Sequence, residues 1–169
     1  MRRPVAAVGS AVFFLVGPGT VAGLVLWLLT RWTVSDPLPG WVLLRGIGLV
    51  LTVAGLCVLV AAFVRFVAEG AGTPLPAAPP GRLVVGGLYR YVRNPMYVAV
   101  IWIVTGQLLM FPTVGLLVYA VAMATFTVCF VRFREEPVLR RRFGADYDEY
   151  RAAVSAWWPR LHPWQQGGR

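Results

Sequence analysis

The sequence predicts an all-α integral membrane protein with about four transmembrane helices, the last two forming a tight hairpin, and short cytoplasmic helices at the C-terminus. Three observations predict it. First, 58% of the 169 residues are apolar and 14% are charged, with a mean hydropathy of +0.68, against about 45–50% and about 25% in soluble domains. Second, the apolar residues are gathered into four long runs. Third, the arginines flank those runs. A chain this rich in Leu, Val, Trp and Phe has apolar surface to hide, which excludes disorder, collagen and coiled coil, and the hiding place is lipid. The net charge of +9 raises nucleic-acid binding, but the basic residues sit at the ends of apolar runs and are not interleaved with aromatics on a polar face. They therefore report membrane orientation, and no nucleic-acid partner is expected.

The runs Val5 to Leu29 and Trp41 to Val67 are each long enough for a helix to cross a hydrocarbon core of about 30 Å. Arg2-Arg3 ahead of an apolar stretch resembles a signal peptide, but the stretch is too long and lacks an Ala-x-Ala site, so it is expected to stay as an anchor. Gly17-Pro18-Gly19 should kink it. The runs Met96 to Phe111 and Val114 to Val131 are separated only by the turn at Pro112, which predicts an antiparallel hairpin whose first arm is marginal for a full crossing. With a cytoplasmic N-terminus, fourteen arginines fall on the inner side and only Arg31 and Arg45 on the outer side. That bias places both long polar segments on the cytoplasmic face.

Four units follow: two N-terminal helices in 1–67, a linker and first polar segment in 68–95, the hairpin in 96–134, and a C-terminal segment in 135–169. Ala68 to Arg82 is rich in Pro, Gly and Ala without periodicity, as an extended linker would be. In the tail, Pro137 suits the first position of a helix that carries Leu139 and Phe143 on one face and stops at Gly144. Asp146 and Glu149 form a capping-box pattern for a second helix with Tyr147, Tyr150 and Val154 on one side.

Glycine-rich nucleotide loops, HExxH, CxxC and GxSxG motifs are all absent from the sequence. Cys57 and Cys129 lie deep in apolar runs with no ligand at metal spacing, and are expected to be small buried residues. Two polar segments remain. Gly87 to Tyr97 (GLYRYVRNPMY) leads into the third helix, and Arg132-Phe133-Arg134-Glu135-Glu136 leaves the fourth. If the two helices form a hairpin, these segments meet at one mouth. Without chemistry, the first would be an interfacial belt of Tyr and Arg, and the glutamates would pair with Arg132, Arg140 or Arg93. His162 stands in the tail and is expected to carry no catalytic role.

GLYRYVRNPMY, followed by EEPVLRRRFGADYDEY and VSAWWPR, resembles the isoprenylcysteine carboxyl methyltransferase and phospholipid methyltransferase family of integral membrane enzymes, over roughly Leu83 to Pro159. The resemblance implies a helical bundle that binds S-adenosylmethionine in a cytosolic pocket and methylates a lipid or lipid-modified acceptor. By position it implies Tyr91, Asn94, Pro95, Tyr97, Glu135 and Glu136 as cofactor-binding residues and Arg93 and Glu136 as catalytic ones, with no metal. Many relatives have His where this sequence has Asn94, and Asn takes no proton at neutral pH. Glu135 or Glu136 can pair with the cofactor's ammonium, Arg93 with its carboxylate, and Tyr97 or Tyr91 can face its sulfonium.

Two other functions stay open. An NADPH-dependent membrane reductase of the steroid-reductase kind shares an Arg-(His/Asn)-Pro-x-Tyr-like element and would use Arg82, Arg90 and Arg93 on cofactor phosphates. A non-catalytic membrane binding module could use the same scaffold. The identity of the acceptor and the oligomeric state are not written in the sequence.

Overall fold

The computed structural model describes residues 19–31, 33, 37, 39–70 and 82–165. The regular structure among the described residues is all helical, with no strand. Most of the first apolar run, including positions 17 and 18 of the expected kink, lies outside them, as does most of the Pro-rich linker. The first run enters with a π-helical turn, Thr20–Leu24, and continues as α1, Val25–Thr30. Leu26 packs with Phe111 and Leu116.

Helix α2 is Trp41–Gly70, and α3 is Pro95–Met110. They lie against each other because small residues let the backbones approach. A side chain at Gly106 would place its Cβ 2.5 Å from the Gly48 carbonyl, and one at Gly55 would come 2.8 Å from Ile103. Leu59, Ala99 and Ile103 fill the next layer, and Ala62, Val84 and Tyr89 the layer beyond it. At one end of this seam the Trp41 indole donates to the Leu109 carbonyl at 2.9 Å. At the other, α2 runs past the expected stop at Val67, because Arg65 and Glu69 pair one turn apart and Glu69 also accepts the Gly86 N–H at 3.0 Å.

Helix α4, Val114–Phe130, begins after the Pro112 turn with the Thr113 hydroxyl accepting the Leu116 N–H. Two helical stretches are long and apolar enough to cross a membrane, Trp41–Glu69 with hydropathy 2.8 and Val114–Phe143 with 2.3, while Pro95–Met110 is a shorter apolar helix. Within the most apolar 18 residues of each, only 22% and 17% are buried within the protein. Core helices of soluble proteins are buried on most sides, so these outward apolar faces fit a lipid solvent. Cys57 and Cys129 are exposed on those faces, against the expectation that they are buried. Depth within an apolar run does not tell which side of a helix a residue occupies, since a lipid-facing side is as apolar as a packed one.

The chain leaves α4 through a π-helical turn, Val131–Glu135, in which the Glu136 N–H reaches back to Val131. Pro137 follows, and a proline has no N–H for the carbonyl four residues earlier and crowds it, so the wider turn accommodates the ring. Helix α5, Glu136–Phe143, ends at Gly144, which adopts φ +51°. Helix α6, Ala145–Ala153, starts one residue before the expected cap. Asp146 is thus inside the first turn and no side chain caps this helix; Asp148 instead pairs with Arg140 at 3.0 Å. The expected apolar face does form: Tyr147, Tyr150 and Val154 are buried together against Leu139, Phe143, Leu83 and Val85.

Candidate functional site

The segment entering α3 is a single 3-10 turn, Gly87–Arg90, begun by Gly87 at φ +56°. It is too short to bury itself, and its polar backbone groups are met by the tail. The Tyr150 hydroxyl donates to the Tyr89 carbonyl at 2.6 Å, and the Arg93 N–H donates to the Ser155 carbonyl at 2.9 Å. The Arg160 and Trp164 N–H groups donate to the carbonyls of Tyr91 and Arg90, each at 2.9 Å. The Asn94 side-chain amide donates to the Ala156 carbonyl at 3.2 Å. Residues 90–94 and 155–164 therefore run antiparallel and clamp each other. Burial pushes the phenols of Tyr89 and Tyr150 well above the usual tyrosine range, so both stay protonated, and Tyr150 is a secure donor.

Pro95 is fully buried in the first turn of α3, where its missing N–H costs nothing. Two residues on, the Tyr97 phenol donates to the Glu135 carboxylate at 2.5 Å. The neighbouring glutamate points elsewhere. Glu136 accepts from Arg93 Nη1 at 3.0 Å and pairs with Arg151 at 3.2 Å. The same Arg93 nitrogen donates to the Tyr147 hydroxyl at 3.1 Å. Burial raises the Tyr147 phenol, and the Arg93 charge partly offsets this. Successive helical residues project about 100° apart, which turns Glu135 toward α3 and Glu136 toward the tail.

Arg93, Tyr97, Glu135 and Glu136 are thus brought to one place, with side chains of Arg93 and Glu136 only 10% and 12% exposed. Tyr91 and Asn94 serve the clamp, Tyr91 through its carbonyl and Asn94 through its amide. Arg93 is engaged with Glu136, where the sequence led us to expect a ligand carboxylate. Its Nε is buried with no hydrogen-bond partner among the described residues, an expensive state for a cationic donor. Tyr147 and Arg151 were not singled out in the sequence for chemistry. The pattern had placed Tyr147 on an apolar face, and Arg151 lies on another helix from the glutamate it meets. His162 is exposed, away from these contacts. Among the described residues no cluster of metal-ligating side chains occurs.

Residues 43–146, from the start of α2 into α6, match the phospholipid methyltransferase family. The chain belongs to that family. The match extends over both polar segments and also over α2, which the sequence had related to the family only as an apolar span. No curated protein and no solved structure matches the chain significantly. Membership of the phospholipid methyltransferases, together with the two long lipid-facing helical stretches, makes the protein a membrane-associated methyltransferase in general class.

Proposed function

We propose that this phospholipid methyltransferase family member transfers a methyl group from S-adenosylmethionine to a lipid or lipid-modified acceptor, at the junction of the α3 entry and the α4 exit. The observation that carries it is the meeting of residues roughly forty positions apart: Tyr97 with Glu135 at 2.5 Å and Arg93 with Glu136 at 3.0 Å. Two adjacent carboxylates there face different partners, Glu135 toward Tyr97 and Glu136 toward Arg93 and Arg151.

The residues suit that cofactor in one specific way. Among the described residues, Glu135 has a single hydrogen-bond partner, the Tyr97 phenol, and so keeps acceptor capacity for a cation. S-adenosylmethionine, when bound, supplies a methyl group on a cationic sulfonium, together with an ammonium and a carboxylate. Glu135 holds the ammonium, and Tyr97 fixes the direction of that carboxylate. Glu136, with Arg151, positions Arg93, whose unpaired Nε is the donor for an anionic group. Tyr91, Asn94 and Pro95 shape the wall through the clamp and the buried first turn of α3. For an amine acceptor a proton must leave before attack and a base other than the ammonium-bound Glu135 is required; for a carboxylate acceptor, an arginine suffices to orient it. The tail excludes water and holds the groups in line, which is most of what a displacement at a methyl carbon requires.

In this proposal the chain crosses the bilayer four times, α3 and α4 form the closing hairpin, and the N-terminus, site and tail lie on the cytoplasmic side. The acceptor enters between helices with its acyl or prenyl chain still in lipid. The test is incubation of purified protein and its native lipids with methyl-labelled S-adenosylmethionine, followed by mass spectrometry of the lipid and protein fractions. Label in a lipid or lipid-modified acceptor is the expected result. Absence of label, with calorimetric binding of NADPH and none of S-adenosylmethionine, would overturn the proposal.

A further inference from the structure

A second polar feature lies outside the Glu135 site. An open groove of about 510 Å³ runs beside the 3-10 turn, lined by Arg65, Arg82, Arg90, Glu69, Gly86 and Trp164 among others, and by none of the residues assigned to methyl transfer. Its charge is uneven. Glu69 is consumed locally, one carboxylate oxygen by Arg65 and the other by the Gly86 N–H, so that Arg65 is neutralised and the acid does not repel an incoming anion. Arg82 and Arg90 remain in excess. Arg90 is held in place by Nε donating to the Trp164 carbonyl at 2.6 Å. Among the described residues its Nη donors meet no acceptor, and the fixed planar fork matches two oxygens of a phosphate.

Gly86 and Gly87 add backbone to the lining, beside Arg65 and Glu69. A Cβ at Gly86 would fall within 2.6 Å of the Glu69 carboxylate carbon and 2.5 Å of Arg65 Nη2, so any larger residue would break the Arg65, Glu69 and Gly86 arrangement. The groove opens where α2 ends at Gly70 and α3 begins at Pro95, at the terminus of the lipid-facing helices and so at headgroup depth. Anionic headgroups concentrate basic side chains there, and a defined pair of guanidinium groups converts general attraction into a site.

We infer that this groove is a phosphate site, separate from the methyl-transfer site, that holds the headgroup of an anionic phospholipid on Arg82 and Arg90. The inference does not depend on the proposed reaction. The test uses the full chain in phosphatidylcholine nanodiscs with increasing phosphatidylglycerol, reading by native mass spectrometry which lipid stays bound on release. The wild type is expected to retain phosphatidylglycerol in preference to phosphatidylcholine. Arg82→Gln with Arg90→Gln should weaken that retention about tenfold. Arg82→Gln alone, at an exposed side chain, should weaken it by a smaller factor without touching the fold. Arg141→Gln with Arg142→Gln, on exposed positions of α5, should leave it unchanged. Undiminished retention in the Arg82 and double variants would overturn the site. Equal loss in the α5 control would reduce it to general charge attraction and overturn it too. Displacement by inorganic phosphate, without preference for phosphatidylglycerol, would refute the lipid source.

Discussion

The seam between α2 and α3 and the seam between the α3 entry and the tail are built by opposite means. The first is made of glycines, alanine and aliphatic side chains, with backbone nearly touching backbone at Gly48 and Gly106. The second is made of ion pairs, phenols and carbonyls, with Arg93, Glu136, Tyr147 and Arg151 sharing charge and hydrogen bonds. In lipid the first has no hydrophobic driving force and depends on close packing. The second is costly to assemble, because buried ions gain from one another only when every partner is present. The contrast separates the seam that holds the helices together from the seam where the proposed chemistry lies.

The largest effect is expected on the first seam. Gly106→Leu would put a Cβ 2.5 Å from both the Gly48 carbonyl and the Thr52 hydroxyl. It should destabilise the protein by about 3 kcal/mol or more, read as loss of monodisperse protein by size exclusion and a lower unfolding temperature in detergent. If that variant stays well folded, close helix packing is not what holds α2 to α3.

Next comes the ion pair. Glu136→Ala leaves the Arg93 charge in a buried place and should cost about 3 kcal/mol, with at least tenfold weaker S-adenosylmethionine binding. Adding Arg93→Ala should restore part of the stability but none of the binding, a non-additivity that a double-mutant cycle measures. Simple additivity in stability would mean that the two groups do not interact.

Glu135→Gln sharpens the comparison within one dipeptide. It keeps an acceptor for the Tyr97 phenol, so the unfolding temperature should change little, while cofactor affinity measured by calorimetry drops about tenfold. An unchanged affinity would remove Glu135 as the cation partner. His162→Ala, at an exposed tail position, should alter neither quantity.

Much of this was legible beforehand. Apolar runs located α2, α3 and α4, because lipid demands long apolar helices; Pro112, Pro137 and Gly144 marked helix boundaries, because backbone constraints act locally. The face of Tyr147, Tyr150 and Val154 followed from helical spacing. What escaped were choices of direction. Glu135 and Glu136 are identical letters side by side, and only the π turn ahead of Pro137 and the position of the tail decide which meets Tyr97 and which meets Arg93. The outward orientation of Cys57 and Cys129 was hidden for a similar reason, since hydropathy is blind to the side of a membrane helix. The partnership of Arg151 with Glu136 depends on a reversal at Gly144, and no local pattern announces it.

The bonds from Ser155, Ala156, Arg160 and Trp164 to residues 90–94 also fix an order of events during synthesis. In a growing polypeptide α2, α3 and α4 are made while the backbone ahead of Pro95 still lacks its mates, and the clamp is complete only once position 164 has cleared the ribosome. The proposed methyl-transfer site is therefore completed late in biogenesis, and a transcript or protease cut that removes residues 155–164 should yield a protein that keeps its helices yet is inert.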